Sequence, residues 1–581
     1  MVVLPSIAVV TAISTTLLSL ASASPVGPEK SIKARQNSYY VLQPVTDGGV
    51  QPRMDIRELE RNPAYKEVWT LFLLAVERLK AVDQQNKTSF YQVAGIHGRP
   101  VVSWDGLPPW TTSTDAQMGY CPHGGQLFAM WHRPYLMLYE KLLHDQALAI
   151  VNEIKDATVK AKWRTAASKL RLPYWDWALK APAGEHLMPT SIADETIPIT
   201  FPNGTTKSIS NPLFKYTFHP LIPSDFALPG EELYYPYDKW KSTLRNPTQP
   251  DNDVNAVSNK TEMHLWFDES RDSLARGVYR VMSQWQGWGN FSTAAYTDPR
   301  SQTQIGDIES KHGPGHTLFA NGHMSPSQYT AFDPVFWLHH ANVDRYIAIW
   351  QAVYPTTWMT RDVQYNQVTF SFDASLPSDG NTPLTPFHSD NKGGFWTSNT
   401  VRDTTKLGYT YPELVGNPSN DTIKSRITAN WGNTPAAPWR LARRDEDGKR
   451  TTTEYIAVVS LVPGFIVEVG IGKTETTRAG AFSTKFSQIK SAMTGLIELT
   501  PVLDGKAKSG SLVKTDEASV IEYLKSEFSY VIKNERGQEV KPAEVPDLVI
   551  TVISQVLTVP ESDTEFPQIV SGKEHPEITG L

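Results

Sequence analysis

"KHGPGHTLFANGHMSPSQYTAFDPVFWLHHANVDR", residues 311–345, carries five of the chain's 14 histidines in one segment. His312 and His316 are four apart, so a helix would set both imidazoles on one face, one turn apart, where they can grip one ion. A third ligand lies in "LHHANVDRYIAIW", residues 338–350, which also reads as helical. His339 and His340 point about 100° apart there, so only one faces the ion. The expected ligand is His340, because Asp344 stands one turn beyond it and would place a carboxylate beside the metal as an orienting group. His339 and His323 are then expected to be structural or supporting.

A second trio lies upstream. His123 and His132, in "GYCPHGGQLFAMWHRPYL" (119–136), are too far apart for one helical turn. His123 is therefore expected on a loop and His132 on the helix that follows. His97, in "AGIHGRPVVSWDG" (94–106), is the third candidate. Imidazole ligation without carboxylate or thiolate suits copper or zinc and not magnesium or calcium. Two such trios on facing helices predict a dinuclear centre inside a helical bundle.

Around these motifs, 581 residues with 40% hydrophobics and 10% aromatics suffice for a large core and two or more domains. The charge of -6, from 55 basic and 61 acidic residues, gives no electrostatic reason for a nucleic-acid or anionic-membrane partner. A small, largely uncharged substrate is expected. "PAYKEVWTLFLLAVERLKAV" (63–82) and "RPYLMLYEKLLHDQALAIVNEI" (133–154) repeat apolar residues every three or four positions and read as helices. "EYIAVVSLVPGFIVEVGIG" (454–472) and "DLVITVISQVLTV" (547–559) are β-branched and partly alternating, so a β-rich domain closes the chain.

The expected fold class is mainly α, a four-helix bundle holding the metal pair, with a β-sandwich-like C-terminal domain. The boundaries read 1–24 signal peptide, 25–36 short propeptide, 37–415 catalytic domain, 416–450 linker and 451–581 β-rich domain. The apolar start, ending in small residues, reads as a signal for export, an uncleaved membrane anchor being the alternative. Sequons at Asn86, Asn203, Asn259, Asn290 and Asn420 agree with a secretory route. The polar linker carries the dibasic pairs Arg443-Arg444 and Lys449-Arg450, where a processing protease would cut. A single cysteine, Cys121, leaves no intramolecular disulfide framework.

"IHG", "YCPHGG", "MWHRPYL", "LPYWDWA", "GHM" and "FDPVFWLHHANVDR" together resemble the coupled binuclear copper family, the tyrosinases and catechol oxidases, and specifically the long fungal polyphenol oxidases. "GVQPR" with Arg53 and "GYTYPEL" with Tyr409 and Tyr411 resemble the marks at the two ends of that family's catalytic domain, where the chain ends are expected to clasp. The resemblance implies two copper ions, with His97, His123 and His132 on CuA and His312, His316 and His340 on CuB. It also implies dioxygen as co-substrate and oxidation of phenols to o-quinones.

Phe128 and Phe336, each four before a ligand, resemble the aromatics that restrict imidazole motion. Ser327 occupies the gate position over CuA, and a small side chain there would leave the entrance open. Cys121 resembles the cysteine that bonds as a thioether to His123, a free buried thiol being the alternative. Glu309 fits the place of the family's water-holding glutamate. The asparagine that shares that water, directly after the first CuB histidine, is absent: Gly313 follows His312 and Thr317 follows His316. An o-diphenol oxidase with weak monophenol activity is therefore expected, the alternatives being a full tyrosinase and a hemocyanin-like dioxygen carrier. A zinc hydrolase is disfavoured for want of a carboxylate base. The C-terminal domain resembles the one that keeps fungal enzymes latent, without the Cys-x-x-Cys motif that some carry.

Overall fold

The computed structural model describes residues 39–580 apart from 108–118, 228–229, 294–305, 364–368, 374–375, 433–442, 445–447, 462–464, 473, 481–492, 535–537 and 547. The expected signal peptide, the propeptide and the middle of the linker lie outside the described residues. Among those described, no helix is long and apolar enough to cross a membrane.

The helical part is built from α1 (Lys66–Lys80), α2 (Phe90–Gly95), α3 (Phe128–Glu153), α4 (Ala157–Lys169), α5 (Lys260–Gln284), the short α6 (Ile308–His312) and α7 (Pro314–Thr317), and α8 (Val335–Val353). The first three turns of α3 and nearly all of α8 are buried on every face. A helix apolar all round belongs in the middle of a domain, and these two form its axis.

The chain ends of this domain clasp each other as expected. β1 (Gln51–Pro52) pairs in parallel with β4 (Tyr409–Thr410). Between them lie β2 (Thr196–Thr200) and β3 (Thr206–Ser210), a surface hairpin. The Arg53 guanidinium stacks 3.6 Å from the Tyr409 ring centroid and donates to Tyr411 Oη at 3.2 Å.

The helical domain runs further than residue 415. α9 (Asn420–Ile427) buries Ile423 and Ile427, and Trp431 packs 5.2 Å from the Arg345 guanidinium at 1% exposure. Residues 420–432 therefore belong to the helical domain, and the expected linker 416–450 begins inside it. Ile423, Ile427 and Trp431 fall every fourth residue, the spacing of one helix face, and the polar and charged residues between them give the segment its linker-like composition.

The C-terminal part holds two antiparallel sheets. One orders β9 (Met493–Glu498), β6 (Arg450–Leu461), β12 (Val549–Thr558) and β13 (Ile569–His575), with β5 (Arg443–Arg444) paired to the start of β6. The other orders β8 (Thr474–Gly480), β7 (Phe465–Ile471), β10 (Phe528–Asn534) and β11 (Glu539–Val540). Successive residues of a strand face opposite ways. Tyr455, Ala457 and Val459 of β6 join the C-terminal core, whereas Ile456 and Val458 join the core of the helical domain. This explains why "EYIAVVS" reads as a continuous apolar run: both its faces are covered.

Candidate metal centre

His97 follows α2, in a loop pressed against residues 327–328. A Cβ added to Gly98 would stand 2.4 Å from the Gln328 carbonyl oxygen, so only glycine permits the approach. The gain is an orienting bond, since His97 Nδ1–H donates to Ser327 O at 2.9 Å. His132, in the second turn of α3, donates from Nδ1 to Phe128 O at 2.9 Å. His312 donates to Glu309 O, and His316 to Met324 O at 2.9 Å, with the Thr330 hydroxyl equally close to the same nitrogen. With Nδ1 committed to a carbonyl, each ring presents Nε2 as the atom that could hold a metal ion.

The ring centroids of His97, His123 and His132 lie 5.3, 5.7 and 6.3 Å apart. Those of His312, His316 and His340 lie 4.9, 5.4 and 5.4 Å apart. The trios face each other, with His132 stacked on His340 at 4.1 Å and His123 on His312 at 6.4 Å. Phe128 touches rings of both, 4.8 Å from His132 and 4.6 Å from His312, and Phe336 lies 5.0 Å from His97 and 4.3 Å from His340. Both phenylalanines are fully buried.

Burial pushes the imidazoles down: His123 to about 4, His312 to about 3, and His97, His132, His316 and His340 well below their ordinary value. The rings are therefore neutral near pH 7, which is the ligating form. Buried Nε2 of His97 and both ring nitrogens of His340 have no hydrogen-bond partner. A buried polar atom left so is costly unless something else satisfies it, and a metal ion does. The donor set fits a copper pair.

Several expectations change. His312 and His316 do not share one helix, because Pro314 lacks the N–H that would continue it; two short helices meet at Gly313, whose helical backbone still keeps the rings adjacent. His339, expected to be structural or supporting, stands beside the ligand candidates. Its ring lies 4.5 Å from His316, within ligand reach of the CuB trio, against a glycine where an added Cβ would stand 2.1 Å from Cε1, Gly315. His323 is structural: its Nδ1 accepts from Leu244 N–H at 3.0 Å.

Asp344 does not orient His340. It accepts from Arg133 Nε (2.6 Å), Arg53 Nη1 (3.2 Å), Tyr409 Oη (2.6 Å) and Tyr411 Oη (2.6 Å), so it is the hub of the clasp. Burial raises its carboxyl, but Arg133 and Arg53 outweigh that and hold it below the ordinary range. The stability this carboxylate contributes is present above the ordinary carboxylate pKa and is lost only as pH falls below it.

Glu309 reaches across the site. Its Oε1 accepts from Gly124 N–H at 2.6 Å, tying α6 to the loop that carries His123, and burial together with Asp307 pushes its carboxyl up to about 8. Cys121 Sγ lies 3.7 Å from His123 Nε2 and 3.4 Å from His132 Nε2. Burial, helped by Glu309, holds the thiol well above its ordinary pKa, and its sulfur stands within ligand reach of His97 and His132. Gly313 is buried and Thr317 half-buried beside their ligands, and Ser327 is 8% exposed.

The family model described as the common central domain of tyrosinase matches residues 87–353, which contain every histidine of both trios, and the tyrosinase C-terminal domain model matches residues 452–552. The chain belongs to the tyrosinase family. It is 36% identical to a Neurospora crassa tyrosinase over 64% of its own length and 53% of that protein, so it spans about half of that relative. To an Agaricus bisporus polyphenol oxidase it is 33% identical, over 70% of this chain and 71% of the other. A recombinant mushroom tyrosinase superposes with a TM-score of 0.75 and 26% identity, over 92% of this chain and 99% of that one. An Aspergillus oryzae holo-protyrosinase shares the fold at TM-score 0.71, with 20% identity over 92% and 97%. Membership in the tyrosinase family thus extends over both domains.

Proposed function

We propose that the chain is a secreted dicopper polyphenol oxidase that converts o-diphenols to o-quinones with dioxygen and is latent until its C-terminal domain is released. The observation that carries the reading is the pair of facing, neutral trios, His97, His123, His132 and His312, His316, His340, all buried except the half-buried His123. When bound, the copper pair supplies dioxygen activation and accepts the electrons of the phenol. The rest is the chain's own work. The carbonyls of Phe128, Glu309, Met324 and Ser327 fix the imidazoles, and Phe128 and Phe336 wedge them in place. Gly313, Thr317 and Ser327 put small side chains where a flat phenol would enter.

Monophenols also need a proton removed, and a water held by Glu309 is the proposed base. One Glu309 oxygen is already taken by Gly124 N–H, and Gly313 offers no side-chain amide, so the water is poorly anchored. The enzyme should turn over catechol much faster than tyrosine, and Gly313→Asn should raise the monophenol-to-diphenol rate ratio several-fold. Strong wild-type tyrosine hydroxylation without a lag, or an unchanged ratio in the variant, would refute the assignment of the water.

Cys121 is proposed to form a thioether with His123. Copper loading in air should then lower the intact mass by two hydrogens and make Cys121 resistant to alkylation after unfolding. An unchanged mass with a fully alkylated thiol counts against the bond.

Latency is supported by where the β-rich domain docks. Arg280 of α5 is 2.8 Å from Glu454 of β6 and 2.7 Å from Glu498 of β9, all three buried. Lys311, next to His312, lies in the same cluster; burial and Arg280 push its amine down to about 8 against the opposite pull of Glu498. Tyr279 and Phe566 extend the contact. Of the dibasic pairs, Lys449-Arg450 opens a strand bonded on both sides, whereas Arg443-Arg444 lies in the edge strand β5. The processing cut is therefore expected after Arg444. Limited proteolysis mapped to that bond should raise catechol turnover by roughly tenfold or more, a gain of about 1.4 kcal/mol per decade; equal rates before and after the cut would sink the latency reading.

A further inference from the structure

Five sequons are not equivalent once the chain is folded. Asn86 and Asn203 sit on exposed turns, and in both the side chain is folded onto its own sequon. Asn86 Oδ1 accepts from Thr88 N–H and Thr88 Oγ1–H at 3.0 Å each. Asn203 Oδ1 accepts from Thr205 N–H at 3.0 Å and Thr205 Oγ1–H at 2.7 Å. With Oδ1 committed to the threonine two residues on, Nδ2 is the atom left at the surface. The other three are bonded through Nδ2, buried or half-buried. Asn420 is exposed but its Nδ2 donates to Val353 O at 2.7 Å, Asn290 is 9% exposed, and Asn259 is half-buried, with its Oδ1 accepting from Glu262 N–H to cap α5.

Asn203 has a second feature. It stands at the tip of the β2–β3 hairpin, beside Gly204 at φ +82°, and on the rim of an open groove of about 650 Å³ where buried or half-buried Leu74, Ile150, Ile154, Val159 and Phe201 meet the charged Glu77, Arg78, Glu153, Lys155 and Asp156. A groove with an apolar floor and charged walls suits a sugar, whose ring faces are apolar and whose edges carry hydroxyls, and the lining atom that can carry one covalently is Asn203 Nδ2.

We propose that Asn86 and Asn203 carry N-linked oligosaccharides, that Asn259, Asn290 and Asn420 do not, and that the Asn203 glycan lies over the groove. The inference rests on the reading that the chain is exported. The donor is a lipid-linked oligosaccharyl diphosphate. The amide nitrogen bonds to the first sugar's C1 as the C1–O bond to the diphosphate breaks, the amide proton is lost to a base, and the lipid diphosphate leaves. A chain glycosylated at an inward-facing asparagine could not close the fold around it, because a bulky hydrophilic group is compatible only with a surface position.

The full chain with its own leader is to be collected from the medium of a glycosylating eukaryotic host. Enzymatic glycan release in heavy-oxygen water marks each occupied asparagine as a labelled aspartate, read by peptide mass. Label at Asn86 and Asn203 and none at Asn259, Asn290 and Asn420 is the expected result. Asn203→Gln should remove one glycan, keep the Asn86 label and increase binding of an apolar dye such as anilinonaphthalene sulfonate several-fold. Secreted protein bare at Asn86 or Asn203, or labelled at Asn259, Asn290 or Asn420, overturns the site assignment, and unchanged dye binding overturns the groove's cover. Protein retained in the cell without glycan overturns the export reading itself, and this inference falls with it.

Discussion

His340→Asn should reduce bound copper from two ions per chain to about one and slow catechol oxidation by about 10³-fold or more, about 4 kcal/mol at 1.4 kcal/mol per decade. His340 is fully buried, neither ring nitrogen has a protein partner, and its centroid is 5.4 Å from both His312 and His316. Its ring also makes the closer of the two stacked contacts between the trios, 4.1 Å from His132. Asparagine is too short to reach the same ion. His323→Asn, which removes a ring bonded to Leu244 outside the two trios, should keep both coppers. The competing ligand is His339, which also borders the CuB trio. Retention of two coppers and full turnover by His340→Asn would show that His339 is the ligand instead.

The second large effect is on stability. Asp344→Ala should destabilise the helical domain by about 3–5 kcal/mol, the usual cost of stripping one partner from a buried ion pair. The side chains of Arg53, Arg133 and Asp344 are each at most 1% exposed, and Glu140 completes the cluster 2.9 Å from Arg53 Nε. Without the carboxylate, two guanidinium groups and the hydroxyls of Tyr409 and Tyr411 lose a shared acceptor where water cannot replace it. The loss should appear in thermal and urea unfolding of the metal-free protein, which separates it from metal binding. Asp344→Asn, which keeps one acceptor oxygen, should fall between the two. A melting profile of Asp344→Ala equal to wild type would mean that the clasp contributes nothing.

Local chemistry made much of the site legible in the sequence. The spacing of His312 and His316 placed two rings side by side even though Pro314 divides the helix, because Gly313 keeps a helical backbone across the break. The placement of His123 on a loop and His132 on the next helix followed from their nine-residue separation. What spacing could not show was tertiary. Asp344 is one turn from His340, yet its partners come from residues 53, 133, 409 and 411, and only the fold brings those together. The carbonyls that fix His97 and His316 belong to Ser327 and Met324, and backbone atoms leave no mark in a sequence. The Phe128 carbonyl was within reach of inference, since a helical histidine finds the carbonyl four residues back. The extent of the helical domain was obscured in the same way. Trp431 looks like part of a polar linker until Arg345 and Tyr346 are beside it.

The most direct test of the central claim is metal content measured together with oxygen uptake on catechol, using protein made with both copper and zinc available and cut after Arg444. Two copper ions per chain, with catechol-dependent oxygen consumption that disappears on copper removal and returns with copper alone, is the predicted result. Zinc in place of copper, or reversible oxygen binding by the copper protein with no catechol consumed, would contradict it.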